Sequence, residues 1–402
     1  MSGLRSWCGG GLLVLSACGA RSALELSLEH ESNGSHVGGA AGMGGAPTTA
    51  VVYKAISAGT MDTCGVTAAG VVKCWGAGAN SARASGPTNS LVPVDVPNHS
   101  TGMLGVSAGV STCLITSAGA VECWGGDRNS LLGPNTPGSR VPVGVANLSS
   151  GVVSVSVGSE VACAIRSTAA LACWGIGDVG NYSGVAAPVE VVGLQFGGIS
   201  VSAGFAHVCV LTAVGAVKCW GPNDVGQLGD GSTQVRGAPV DVVGLASGVV
   251  SVSAGYGQSC AVTSAGAVKC WGANYYGQLG NNSKEFSTVP VDVIGLSSGV
   301  VSVSAGGYYT CAVTSAGAVK CWGSHRWGAF GEPATTSNSL VPEDVVGLSS
   351  NVIAVSVGHS HTCALTSTGA VKCWGTNEFG ELGNGTTIGS SVPVDVLGSD
   401  AL

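Results

Sequence analysis

Sixteen of the 402 residues are cysteine, and fourteen of them fall into seven pairs with nine residues between partners. The pairs are Cys64 with Cys74, Cys113 with Cys123, Cys163 with Cys173, Cys209 with Cys219, Cys260 with Cys270, Cys311 with Cys321 and Cys363 with Cys373. Thiols at a fixed spacing can close disulfides, hold a metal as thiolates, or stay buried and inert. Zinc wants ligands in fours, commonly as C-x-x-C, and no C-x-x-C occurs. Even parity behind an export-type leader favours disulfides, with free buried thiols as the other reading. Each bridge closes a loop of about 11 residues, worth about 2–3 kcal/mol if unstrained.

Two further groups invite chemistry. His359 and His361 lie two apart, with His207 at the equivalent place in another copy, but no third ligand follows from the spacing, so no metal is expected. There is no H-E-x-x-H motif and no phosphate-binding loop, so neither catalytic residues nor a cofactor is expected. The Asp of the Pro-Val-Asp segments (Asp95, Asp241, Asp292, Asp395) recurs with the repeat, which reads as structure rather than a catalytic pair.

The elements that must position the cysteines repeat with them. Successive pairs start 49, 50, 46, 51, 51 and 52 residues apart, and Trp-Gly follows the second Cys each time. The clearest copy is GVVSVSAGYGQSCAVTSAGAVKCWGANYYGQLGNNS, from Gly248 to Ser283. VVSVSAG alternates Val with Ser, the period of a strand. SCAVT and AVKCW are two more strands, joined by a short turn with Gly where a left-handed residue is needed. VPVDV is a fourth, and its Pro suits an edge. Pairing Thr314 with Ala318 places Val313 opposite Val319, Ala312 opposite Lys320 and Cys311 opposite Cys321, a close non-hydrogen-bonded pair. Four short strands in each of seven units of about 50 residues predict an all-β, seven-bladed propeller with one disulfide inside each blade.

Composition agrees. Charged residues are 9%, where soluble chains carry about 25%, as expected when most strands are buried on both faces. The 45% hydrophobic content excludes disorder for most of the chain. A net charge of −7 without a Lys/Arg run argues against nucleic acid as a partner. Period and cysteines argue against a membrane β-barrel, whose strands come in units of roughly 10 residues.

Residues 1–17 read as an export signal with one charge, Arg5, and the apolar run Leu12–Leu15. Leu15-Ser16-Ala17-Cys18 resembles a bacterial lipobox, which implies a lipidated Cys18 as the new N-terminus; an ordinary secretory signal is the alternative. Gly19 after the cysteine resembles outer-membrane sorting. Residues 18–49 are Gly/Ala/Ser-rich and read as a tether, leaving 50–399 for the propeller. The expected location is therefore the cell envelope, with the membrane touched only through the lipid anchor.

The stretch from His361 to Gly385, HTCALTSTGAVKCWGTNEFGELGNG, resembles the regulator of chromosome condensation repeat, as do WGPNDVGQLG at Trp220 and WGANYYGQLG at Trp271. The resemblance covers about residues 50–399 and implies a seven-bladed propeller. WGAGANSARAS at Trp75 and WGIGDVGNYSG at Trp174 depart from the motif by lacking Gly-Gln-Leu-Gly. The family's namesake exchanges nucleotide on a small nuclear GTPase and binds chromatin. Neither role carries over to an exported chain without its inserted wedge or a basic tail. Because the last unit ends in Pro393-Val394-Asp395-Val396, that strand is expected to complete the first blade and clasp the ring.

A meander sends alternate loops to opposite faces. The Ser-Ala-Gly turns and GLSSG links on one face are monotonous. The other face differs in every copy and gathers aromatics, which are only 5% of the chain. Tyr, Trp and Arg anchor binding surfaces. The candidate face comprises Arg128, Phe205, His207, Tyr256, Gln258, Tyr275, Tyr276, Tyr308, Tyr309, Arg326, Trp327, His359, His361, Glu378 and Phe379. The alternative is drift in unconstrained loops. The one Trp at a fixed position in each unit, Trp75 through Trp374, reads as packing. The expected function is a non-enzymatic platform for a protein partner; a glycan-binding module is the alternative, with an envelope enzyme or an inhibitor of a secreted enzyme behind it.

Overall fold

The computed structural model describes residues 50–399 except 78–88, 100, 127–128, 135, 137, 179–182, 195–196 and 329–337, together with an isolated pairing of Leu15–Ser16 with Ala20–Arg21. Cys18, the stretch 22–49 expected to be a tether, and Arg128 lie outside the described residues. Seven four-stranded antiparallel sheets span 53–95, 105–144, 152–190, 198–241, 249–292, 300–344 and 352–395. Each is a meander, as in the fifth: Val249–Ala254, Gln258–Thr263, Val268–Gly272 and Ser287–Asp292. The first strands touch in cyclic order, the seventh returning to the first, which makes a seven-bladed propeller with the first strands innermost.

The expected hairpin register holds in every blade. Cys311 faces Cys321 with Ala312 opposite Lys320 and Val313 opposite Val319. In the other blades Cys64 faces Cys74, Cys113 faces Cys123, Cys163 faces Cys173, Cys209 faces Cys219, Cys260 faces Cys270 and Cys363 faces Cys373. All seven pairs are disulfides with Cα atoms 4.0–4.1 Å apart. Every one of the fourteen sulfurs belongs to a buried residue, so the bridges are staples inside the blades and form no part of a surface site. The metal and free-thiol readings of these cysteines fall with that pairing.

The turn between the cystine strands ends on a left-handed Gly in six blades, at φ 76–82°, and on Ala169 at φ 66° in the third. Lys of the third strand meets Asp of the fourth in five blades, from Lys73–Asp95 to Lys372–Asp395, at 2.5–2.7 Å. Those recurrent aspartates are structural, exposed on the outer edge.

The expected clasp is not there. Ser390–Asp395 pairs with Val371–Gly375 of its own unit, and the first blade is complete from residues 53–95. The physical reason is stoichiometric: the first unit has its own Pro93-Val94-Asp95 strand, so no blade has a vacancy.

Closure comes instead from bonds between adjacent blades, repeated around the circle. The last Ser of each inner strand accepts a backbone N–H from the next blade at 2.8–3.0 Å, in the series Ser57, Ser107, Ser156, Ser202, Ser253, Ser304 and Ser356, the last accepting from Ala58. Just past the ends of the same strands lies a ring of the opposite sense. The N–H that follows Gly59, Gly109, Gly158, Gly204, Gly255, Gly306 or Gly358 donates to the next of these glycine carbonyls at 3.0–3.5 Å. Only glycine allows that approach: a Cβ on Gly158 would stand 1.9 Å from the Gly204 carbonyl oxygen.

The seven repeat tryptophans are fully buried. Trp271 and Trp322 donate from Nε1 to the carbonyls of Gln227 and Gln278 in the preceding blade, and Trp75 does so to Glu381 of the seventh. The Trp-Gly-x-Asn and Gly-Gln-Leu-Gly residues hold that loop for the task. Buried Asn223, Asn274 and Asn377 accept the amides of Leu228, Leu279 and Leu382 at 2.9–3.0 Å.

Candidate functional site

The residue after each ring glycine, or the one following it, stands at the mouth of the central channel. In the first three blades the positions after the glycine are Thr60, Val110 and Ser159. In the last four the corresponding side chains are Phe205, Tyr256, Tyr308 and His359, of which Tyr308 lines the cavity beside the mouth and the other three line the mouth itself. These four sit on loops held by the glycine ring, so the scaffold fixes their backbones while leaving the side chains half-buried or exposed.

The rings form one contiguous cluster. Phe205 and Tyr256 have centroids 4.3 Å apart, Tyr256 and Tyr308 5.5 Å, and Tyr308 and His359 5.9 Å. Tyr276, from the long loop of the fifth blade, meets Tyr308 edge-on at 5.2 Å. Aromatic contacts of this kind contribute about 0.5–1.5 kcal/mol each beyond area burial, so the cluster is a pre-assembled surface. Burial and the nearby Tyr256 and Tyr276 raise the Tyr308 hydroxyl above its usual range, and burial lowers the His359 imidazole below its own.

Two cavities open beside the cluster. The channel mouth, about 350 Å³, is lined by inner-strand alanines and the ring glycines, with Phe205, Tyr256 and His359 on one side. A second cavity of about 370 Å³ lies between loops of the third to sixth blades and shares Phe205 and Tyr256 with the first. Tyr275 lines it and is 59% exposed. Arg326 and Glu378 are exposed and Phe379 is half-buried, but none of the three lines either cavity. Trp327 falls in the short 3-10 turn Arg326–Gly328; its side chain lies outside the described residues.

Four expected face residues are buried instead of exposed, although His207 still lines the second cavity. His207, Gln258, Tyr309 and His361 are each buried to within 1% of full burial. They open or immediately precede a second strand and point across to the next blade. His207 Nε2 meets Ser259 at 2.9 Å, His361 Nε2 meets Thr63 at 2.8 Å, and the Tyr309 hydroxyl meets Thr362 at 2.8 Å. Gln258 donates to the Gly306 carbonyl at 3.2 Å. Ser259 and Thr63 donate onward to the Gln227 and Glu381 carbonyls, so the histidines serve as Nε2–H donors and stay neutral. Burial pushes His207 down to about 4 and His361 to about 3. The first blade uses Asp62 at this place, accepting from Thr112, and burial pushes its carboxyl up to about 7.

Some structural signals lay in plain view in the sequence. The serine and glycine rings repeat in every unit as Ser-Ala-Gly or Ser-Val-Gly before the variable loop. Residues 105–109 and 295–299 spell Gly-x-Ser-x-Gly, yet neither makes a nucleophile elbow. Ser107 is a buried member of the serine ring, and Ser297 lies in an exposed link between blades.

The family model described as the regulator of chromosome condensation (RCC1) repeat matches residues 215–262, 265–313 and 316–365, and a second model of the same repeat matches 199–227, 249–278 and 352–381. Human E3 ubiquitin-protein ligase HERC2 is 33% identical over 174 residues, 42% of this chain and 4% of the ligase. The probable ligase HERC4 of Rattus norvegicus is 33% identical over 142 residues, 35% of this chain and 13% of that protein. The chain thus spans a small part of the curated relatives it matches. Among solved structures, Prp20p of Saccharomyces cerevisiae superposes with a TM-score of 0.72 at 19% identity, covering 87% of this chain and 88% of that one. Human WBSCR16 gives a TM-score of 0.52 at 22% identity, covering 85% and 80%. Family models, register and sevenfold closure converge: residues 199–381 carry repeats of the RCC1 type, and the chain folds as a seven-bladed propeller.

Proposed function

We propose that this protein is a non-enzymatic recognition platform of the cell envelope, exported, held to a membrane by lipid on Cys18, and binding a protein partner through the loop face of blades four to seven. The observation that carries the reading is the contiguous cluster of Phe205, Tyr256, Tyr276, Tyr308 and His359 in a chain with 5% aromatics. Partly exposed aromatic side chains on a rigid frame lose little entropy on binding and are the usual anchors of protein interfaces. The fold has precedent: a similar propeller, Prp20p, is described with binding properties to Gsp1p and histones, and its complex with Kap60 has been solved. The leader and the seven disulfides favour an oxidising compartment.

The test is differential capture from the envelope and secreted fractions of the source organism. The oxidised protein is the first bait, and the same protein with Tyr256, Tyr275, Tyr308 and His359 changed to Ser is the second. A partner held by the first and lost by the folded second supports the reading. Equal capture overturns it. Palmitate labelling that disappears in Cys18→Ser supports the anchor, and labelling that persists contradicts it.

A further inference from the structure

The second cavity differs chemically from the channel mouth. Phe205, Tyr256, Tyr275 and Tyr308 line it, as does the buried imidazole of His207, and two carboxylates stand with them, Glu160 and Asp224. Asp224 is exposed and Glu160 half-buried. Among the described residues the ion pairs all lie elsewhere, so neither carboxylate is neutralised there. Arg326, whose charge reaches Tyr308, does not line the cavity.

Ring orientation discriminates between ligands. A sugar stacks on one flat aromatic face. Here the planes are tilted against one another, by 42° for Phe205–Tyr256 and 39° for Tyr256–Tyr308, and these rings line one cavity together with Tyr275. A cation within about 6 Å of ring centroids is attracted by each ring face, and nearby carboxylates add to that attraction. The chain's net charge of −7 pulls in the same direction.

We infer that this cavity receives a basic side chain, lysine or arginine, of the protein that docks on the loop face. The inference rests on the recognition function proposed above and specifies the partner's chemistry: a protruding basic residue, held by aromatic faces and two carboxylates.

The test uses the intact oxidised protein and four small probes, with calorimetry or ligand-observed NMR as readout. The probes are Nα-acetyl-lysine amide, Nα-acetyl-arginine amide, Nα-acetyl-norleucine amide and cellobiose. The two cations are expected to bind saturably, about tenfold more tightly than the norleucine isostere. Their affinity should fall severalfold as ionic strength rises from about 0.05 M to about 0.5 M. Glu160→Gln with Asp224→Asn should weaken them about tenfold, and Tyr275→Ser should weaken them further, with thermal midpoints unchanged. Norleucine binding as well as lysine, cellobiose binding that survives the carboxylate changes, or no binding by any probe would each overturn the inference. If partner capture needs the rings but ignores the paired change Glu160→Gln with Asp224→Asn, the recognition face stands and the cation slot alone fails.

Discussion

Blades one to three and blades four to seven share one skeleton and present different surfaces. Serine ring, glycine ring, cystines and tryptophans run through all seven blades. The rim is Thr60, Val110 and Ser159 on one side and aromatic on the other. The long loops diverge too. Among the described residues Trp124 and Trp220, which follow the loops of blades one and three, find no partner for Nε1, whereas Trp174, after the also altered loop of blade two, donates to the Leu131 carbonyl. Residues that close the circle repeat, and residues that face outward do not. Such a ring tolerates a degraded loop because the serine and glycine bonds also hold every blade to each neighbour.

The largest effect tests whether the skeleton is uniform. Gly158→Ala and Gly255→Ala should each cost about 3 kcal/mol or more, because the new methyl drives into the next blade's carbonyl. Denaturant melts should show similar losses in both halves; a mild loss in one half would break the equivalence. Replacing one cystine by alanines, Cys163 with Cys173 or Cys260 with Cys270, should cost about 2–3 kcal/mol in either half.

The blade-to-blade position filled by Asp62, His207 or His361 should divide by sign. Both histidines have folded values below the ordinary 6.5. The unfolded chain takes up the proton first, so their contribution is full above about pH 6.5 and is lost as pH falls toward 4 and then 3. Asp62 is raised from 3.8 to about 7. Its contribution is full below about pH 4 and is lost as pH climbs through 7. Each can contribute a slope of up to about 1.4 kcal/mol per pH unit within its window. Midpoints measured against pH should lose their acid limb when His207→Gln and His361→Gln are combined, since Gln258 already fills this position in blade five. Asp62→Asn should remove the opposing slope between about pH 4 and 7. Unchanged profiles would contradict the burial of these groups.

A smaller effect sharpens the loop comparison. Trp271→Phe loses the bond to Gln227, whereas Trp220→Phe loses none. Loss of ring volume is common to both, so their stabilities should differ by about 1 kcal/mol. Equal costs would mean that the intact loop contributes nothing through this bond.

What the sequence discloses follows the range of the interactions. Strand alternation, the Gly turn and the Cys311–Cys321 register lie within about a dozen residues and are readable. Closure is not, because the bonds that make it link residues roughly one repeat apart, and link Ala58 to Ser356 across 298 positions. The face is half legible. Phe205, Tyr256, Tyr308 and His359 follow the ring glycine and point out. His207, Gln258, Tyr309 and His361, a few residues later, begin the second strand and turn inward. A period-two alternation crossing a loop boundary does not say where the strand resumes. The partner's hydroxyl, Ser259, Thr362 or Thr63, was the available signal, and it sits one blade away.

The central claim is that recognition belongs to one side of the ring. The most direct measurement is a rim scan of partner retention. Seven proteins each carry one rim change: Thr60, Val110, Ser159, Phe205, Tyr256, Tyr308 or His359 to a small residue of different character, Ser or, for Ser159, Ala. Retention of the captured partner should drop at Phe205, Tyr256, Tyr308 and His359 and stay near wild type at Thr60, Val110 and Ser159. Loss spread evenly around the ring, or confined to the first three blades, would contradict the account.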